Sequence, residues 1–300
     1  MEQAIAFFLV SVASMKFLRD RPKLKQTEKA YTIADQPARF AKDKVAGNVR
    51  VMNLEKIYNP SFIRGKKVLV TGCNRGIGLA ITKELIACGA VVIGTSRAPF
   101  VHPDVRVISG IEMTDNNVGS LLANALQGEH IDVLINNAGY FYEPVEKIDC
   151  LNFEEELKMI DICALGPLRV TSGLFNSGLL TSGSKVAIIS SQGGSIEWRT
   201  TQNPNGGDYG HHMSKAAANM AGRLLHQELK HSGICVTLLH PGFNKTDMTS
   251  KYAHIWEVEG AVDASIGAKR VVHEIGRMFT NETEMQGQFV NCEDGLLIPW

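Results

Sequence analysis

The glycine-rich run TGCNRGIG, residues 71–78, stands between an apolar stretch of strand character at 66–70 and one of helix character at 79–88. A strand that turns sharply into a helix leaves the first-turn amides unpaired and the positive end of the helix dipole facing outward, so a pyrophosphate can sit there. The glycines meet separate needs. Gly72 allows the turn, Gly76 lets a phosphate come close to the main chain, and Gly78 lets helix and strand pack tightly.

Downstream, β-branched runs at 66–70, 90–95, 105–109, 132–136, 185–190, 234–240 and 288–291 alternate with helical patterns at 77–88, 116–127, 152–180, 211–231 and 263–280. This alternation predicts an α/β fold, a single doubly wound parallel sheet of the Rossmann type with ligands at the carboxyl ends of the strands. The 300 residues, 44% of them hydrophobic, suffice for one such domain of roughly 250 residues and an N-terminal extension. The domain is expected over 63–300 and the extension over 1–62. The formal net charge is zero and no basic stripe crosses the domain, so no nucleic-acid partner is expected. Cys73, Cys88, Cys150, Cys163, Cys235 and Cys292 show neither CxxC nor His-linked spacing. No metal site and no disulfide framework are expected, and the chain is placed in an intracellular reducing compartment, cytoplasmic or organellar.

Within the extension, residues 4–15 are an uncharged, mostly apolar run, shorter than the ~20 residues that span a bilayer. It follows Glu2 rather than basic residues, a poor match to a secretory signal. Lys16, Arg19, Arg21, Lys23, Lys25 and Lys29 come next, against Asp20 and Glu28. An apolar helix followed by basic residues suits a membrane surface, as a peripheral association, or a partner's groove through residues 1–29. An organelle-targeting segment, or a tail packed on its own domain, is the other reading. Residues 30–62 lack sustained apolar periodicity and read as an extended linker or wrapping arm, dispensable for folding.

Five motifs follow one another in order: TGCNRGIG, NNAG at 136–139, ISSQGG at 189–194, MSKAAANM at 213–220 and HPGFNKTDM at 240–248. Together they resemble the short-chain dehydrogenase/reductase family over 66–300. LGPLRVT at 165–171, the insert before the active-site helix and the ending GLLIPW resemble its C-factor-like or sniffer-like carbonyl reductases. The resemblance implies an oxidoreductase of a carbonyl/alcohol small-molecule substrate. It implies a nicotinamide cofactor held by Gly72, Asn74, Arg75, Gly76, Ile77, Gly78, Glu112, Met113, Asn136, Ala138, Gly139, Lys215, Pro241, Gly242 and Thr246. Arg97 follows the second strand, where a carboxylate would select a free ribose 2′-OH and an arginine a 2′-phosphate. With Arg75 in the glycine loop and no acid at that strand end, NADP(H) is expected over NAD(H). The long helix at 152–180 and the active-site helix commonly form the family's dimer face. A homodimer is therefore expected, with Ala216, Ala217, Ala218, Ala221 and Gly222 allowing close helix packing.

The family's chemistry uses Tyr, Lys, Ser and Asn. By position Ser191 matches the Ser and Lys215 the Lys, while Ser190 reads as strand packing. Four residues before Lys215, on the same helix face, His211 replaces the Tyr, and Cys163 replaces the Asn. Two readings stay open. Either His211 donates a hydrogen bond or a proton to the substrate oxygen, or the chain is a catalytically weak or inactive NADP(H)-binding subunit with a structural or regulatory role. The insert at 196–208 with Trp198 and the segment 249–260 with Trp256 are expected to line the substrate pocket.

Overall fold

The computed structural model describes residues 36–280 and 285–300. The apolar segment and basic cluster of residues 1–29 lie outside them. In chain order the main elements are α1 (Gln36–Val45), α2 (Val49–Asn53), β1 (Lys67–Val70), α3 (Gly76–Ala87), β2 (Val91–Ser96), β3 (Arg106–Ser109), α4 (Val118–Leu126), β4 (Val133–Asn136) and α5 (Phe153–Ile160). They continue with a π-helical turn (Asp161–Leu165), α6 (Gly166–Asn176), β5 (Lys185–Ile189), α7 (Arg199–Gln202), α8 (Tyr209–Leu229), β6 (Cys235–His240), β7 (Asn244–Lys245), β8 (Val262–Asp263), α9 (Ala264–Arg277) and β9 (Phe289–Asn291).

Seven strands form one sheet in the order β3-β2-β1-β4-β5-β6-β9, parallel at every pairing. The order reverses between β1 and β4, and a ligand crevice opens at such a switch point. Because side chains alternate along a strand, Val68, Val70, Val133, Ile135 and Ala187 join one apolar layer with Ile81 and Leu85 of α3 and Val271 and Ile275 of α9. Leu69, Leu134, Val186 and Ile188 join the other, with Leu122 of α4, Val170 of α6 and Leu225 of α8. Burial on both faces explains why these strands read as unbroken apolar runs. No helix of the described residues is long and apolar enough to cross a membrane.

The segment expected over 30–62 as an extended linker or wrapping arm is helical from Gln36, and it packs on the domain as an arm would. Helix α1 buries Gln36, Arg39 and Asp43. Arg39 Nη2 lies 2.8 Å from Glu293 Oε2 and its Nε 3.5 Å from Asp294 Oδ2. Arg50 of α2 reaches Glu274 at 3.1 Å, and Glu274 also holds Arg277 at 2.8 Å. These partners sit just after β9 and in α9, so α1 and α2 close the far edge of the sheet. Two of the five small residues of α8 expected at a dimer face turn inward. Gly222 faces the sheet, where a Cβ would stand 2.8 Å from Leu238 Cδ2, and Ala218 is buried. The exposed large apolar residues of α8 are Met213, Met220 and Leu224.

Candidate active site

A cleft of about 650 Å3 opens over the carboxyl ends of β1, β2, β4, β5 and β6. At one end lies the glycine loop. Gly72 takes a φ of +70°, open only to glycine at low cost. Gly78 has no room for a side chain, since a Cβ would fall 2.1 Å from the Gly72 carbonyl oxygen and 2.3 Å from Asn137 Nδ2. The Asn137 amide donates to the carbonyls of Thr71 at 2.9 Å and Gly72 at 3.0 Å. The main-chain N–H groups of Asn137 and Ala138 both donate to Thr71 Oγ1 at 3.0 Å. The NNAG turn after β4 thus holds the glycine turn after β1 in shape. No side chain caps the N-terminus of α3, which leaves first-turn amides available to an anion beside Arg75, Gly76, Ile77 and Gly78 of the cleft wall.

Asn74, Arg97, Glu112, Met113, Ala138, Gly139, Pro241, Gly242 and Thr246 line the same cleft. Asn136 does not. It is buried behind the strand end, donating to Thr171 Oγ1 at 3.1 Å, and its neighbour Asn137 lines the cleft instead. Arg97 faces Glu112 at 3.9 Å with both side chains more than half exposed, an ion pair of little net energy.

At the other end, Ser191, His211 and Lys215 share one wall. Ser191 Oγ accepts from Gly193 N at 3.0 Å, and Lys215 Nζ donates to the Ile189 carbonyl at 3.2 Å. Ser190 Oγ donates to Asn219 Oδ1 at 2.6 Å, tying β5 to α8. His211 meets Phe141 edge-on at 4.6 Å between ring centres. Burial, then the charge of Lys215, holds its pKa well below 6.5, so the ring is neutral. Cys163, at the position matched to the family's Asn, lies off the cleft wall. It sits in the π-helical turn, buried, and exchanges two hydrogen bonds with Tyr140: its thiol donates to the carbonyl and accepts from the amide, both at 3.4 Å.

Neither tryptophan lines the cleft. Arg199, Gln202, Asp208, Thr249 and Tyr252 do, from the two segments expected to shape it. His240 was not anticipated. It lines the cleft at the end of β6, its two ring nitrogens have no hydrogen-bond partner among the described residues, and burial with Arg39, Arg270 and Lys215 pushes its pKa down to about 3. His212 is pushed down to about 4 by burial and Arg199. No cluster of metal ligands occurs among the described residues.

These histidines make stability depend on pH. Between pH 6.5 and about 4 for His212, or about 3 for His240, the unfolded chain binds protons that the folded chain refuses, so stability falls on acidification. The melting temperature should begin to drop below pH 6.5, before carboxylates titrate, and His212→Gln should lessen the slope. A melting temperature flat from pH 7 to 5 contradicts this.

Residues 66–255 match the short chain dehydrogenase family, and the chain belongs to it. Curated relatives include the 1-hydroxy-2-glutathionyl-2-methyl-3-butene dehydrogenase of Rhodococcus sp., 33% identical over 62% of this chain and 80% of that protein. The C-signal protein of Myxococcus xanthus is 34% identical over 57% of this chain and 93% of its own length. Among solved structures, the carbonyl reductase Sniffer of D. melanogaster superposes with a TM-score of 0.64 at 23% identity, over 79% of this chain and 100% of that one. The NADPH-bound carbonyl reductase from chicken fatty liver gives 0.63 at 25% identity, with the same coverage of both chains.

Proposed function

We propose that this chain is an NADP(H)-dependent oxidoreductase of a carbonyl/alcohol pair whose active site uses His211 where the family uses a tyrosine. The observation that carries this reading is the meeting of Ser191, His211 and Lys215 on one wall of a cleft whose far end is the glycine loop. The loop suits a dinucleotide: uncapped amides at the start of α3, a glycine at each close approach, and two arginines at the ribose end. The chicken fatty liver enzyme of similar fold is described as NADPH-bound, which supports the cofactor assignment.

Bound NADPH supplies the hydride. The residues here hold and polarise the acceptor. Ser191 Oγ and a ring N–H of His211 would hydrogen-bond the developing oxyanion, and Lys215, one turn beyond His211, would add positive potential to the site. A neutral imidazole at this point stabilises negative charge and does not release a proton easily. Protonation of the alkoxide therefore draws on Lys215 or on water.

The same neutrality of His211, with the thiol of Cys163 engaged by Tyr140, supports the second reading, an NADP(H)-binding subunit of weak or no turnover. Exposed Phe153, Leu157, Leu168, Met220 and Leu224 on α5, α6 and α8 support a homodimer through these helices. A membrane-surface or partner contact through residues 1–29 rests on their sequence.

NADPH should bind at least tenfold tighter than NADH, since a charge-assisted bond to the 2′-phosphate is worth about 1.5–3 kcal/mol. Arg97→Asp should reverse the order in a fluorescence titration. Equal affinities in the unmodified protein contradict the assignment.

A further inference from the structure

We infer that the substrate end of the cleft contains a carboxylate-binding subsite built on Arg199, so that the preferred carbonyl substrate is itself anionic. The carbonyl part of this inference rests on the function proposed above; the anion subsite does not.

Arg199 opens α7 and lines the cleft beside Gln202, His211 and His212. Its side chain is half-buried, yet each partner it has is neutral. Nε donates to the Ser195 carbonyl at 2.9 Å, Nη2 to the Gln192 carbonyl at 2.9 Å and to Gln202 Oε1, and Nη1 faces His212 Nε2 at 3.3 Å. No carboxylate forms an ion pair with it among the described residues. Elsewhere the fold treats buried guanidinium differently, for Arg39 and Arg270 both meet Glu293, at 2.8 and 3.6 Å. A buried charge without a counter-ion is costly, and an incoming anion removes that cost. Of five donors in the guanidinium fork, four are engaged and one Nη1–H is left.

The neighbouring imidazole holds the guanidinium in place. His212 Nε2 is faced by Arg199 and by Asn203 Nδ2, the latter at 3.0 Å. The Asn203 amide is oriented by its own donation to the Gly207 carbonyl at 3.1 Å. With donors on both approaches Nε2 must accept, which assigns the hydrogen to Nδ1. Nδ1 is buried and has no acceptor among the described residues. It lies near Gly193, where an added Cβ would stand 3.2 Å from it and 3.0 Å from His211 Nε2. A guanidinium with a spare N–H therefore lines the cleft together with His211 and His212, next to a buried imidazole N–H that has no acceptor. Asp208 on this side does not neutralise them. Burial raises its pKa, Tyr252 OH donates to it at 3.2 Å, and its charge is answered by Lys251. A carboxylate a few bonds from the reacting carbonyl fits this arrangement.

The test uses the full chain with NADPH and two matched aldehydes, 4-carboxybenzaldehyde and 4-formylbenzamide. The carboxylate should be preferred at least tenfold in kcat/KM, and Arg199→Met should bring the ratio near one, with Arg199→Lys retaining part of it. A parallel binding measurement, quenching of bound NADPH fluorescence by unreactive terephthalate against terephthalamide, should show the same Arg199-dependent preference. If neither aldehyde turns over but terephthalate binds selectively, the subsite stands and the oxidoreductase reading fails. Equal treatment of the carboxylate and amide probes by the unmodified protein overturns the subsite, whether or not the variants fold, as does a preference that survives in Arg199→Met.

Discussion

Arg39→Met should lower the melting temperature by about 10 °C and weaken NADP(H) binding with it. Arg39 is 2% exposed, and Glu293 and Asp294, which it meets, are 0% and 1% exposed. Removing one partner of a buried ion pair costs about 3–5 kcal/mol because the remaining charge keeps its desolvation penalty, and each kcal/mol is worth about 2–4 °C in a domain of 150–250 residues. The link to the cofactor is short. Glu293 Oε1 also accepts from Gln36 at 3.2 Å and from the Phe243 amide at 3.4 Å, and Gly242 and Phe243 line the cleft. On the other side, Gln192 Nε2 donates to Gln36 Oε1 at 3.3 Å, one residue from Ser191. A chain beginning at Ser61 loses Arg39 and Arg50 together and should be insoluble or fail to bind nucleotide, the reverse of what the sequence reading of the extension expects. A soluble, nucleotide-binding product would show that the three acids left behind find other partners.

His211→Ala should lower turnover by roughly 100-fold or more while NADPH affinity changes little, since the ring touches the reacting end of the cleft and not the glycine loop. Stopped-flow measurement of NADPH oxidation at saturating aldehyde reads the first quantity, and fluorescence titration the second. His211→Tyr with Cys163→Asn, which restores the family's two residues, should preserve or raise activity on simple aldehydes. The two changes are not equivalent: the tyrosine enters the cleft wall, whereas the asparagine must displace a thiol that holds Tyr140 through two bonds. Activity that is indifferent to His211→Ala would show that the oxyanion is held by another donor, with Tyr209 and His212 the nearest candidates in sequence.

The sheet was legible because its strands are buried on both faces. Val68 through Val70 or Val133 through Asn136 leave no exposed position to break the apolar run, and the expected strand at 132–136 differs from the observed one by a single residue. Glycine spacing was legible for a related reason: at Gly78 any other residue would collide with main chain. Helix α1 escaped notice because its buried residues are Gln36, Arg39 and Asp43. Their spacing is helical, but a pattern sought among apolar side chains passes over a helix whose inward face is polar. The π-helical turn inside the expected helix at 152–180 has no Pro or Gly before Gly166 to announce it, and it is this turn that carries Cys163. The exchange of Asn136 for Asn137 turns on which of two identical neighbours points along the strand end, a choice set by the Thr71 and Gly72 carbonyls across the switch point. Arg199 gave no signal at all, since its meaning lies in the absence of a carboxylate that only folding reveals.

The central claim, that this altered site still transfers hydride, is tested most directly by deuterium. The unmodified protein, given NADPH labelled in turn at each face of the nicotinamide C4 and a panel of aldehydes that includes 4-carboxybenzaldehyde, is predicted to yield the alcohol carrying deuterium from one face, read by mass spectrometry, and far less product with labelled NADH. Tight NADPH binding with no deuterium in any alcohol, at protein concentrations where a single turnover is visible, would contradict the claim and leave the chain a nucleotide-binding subunit.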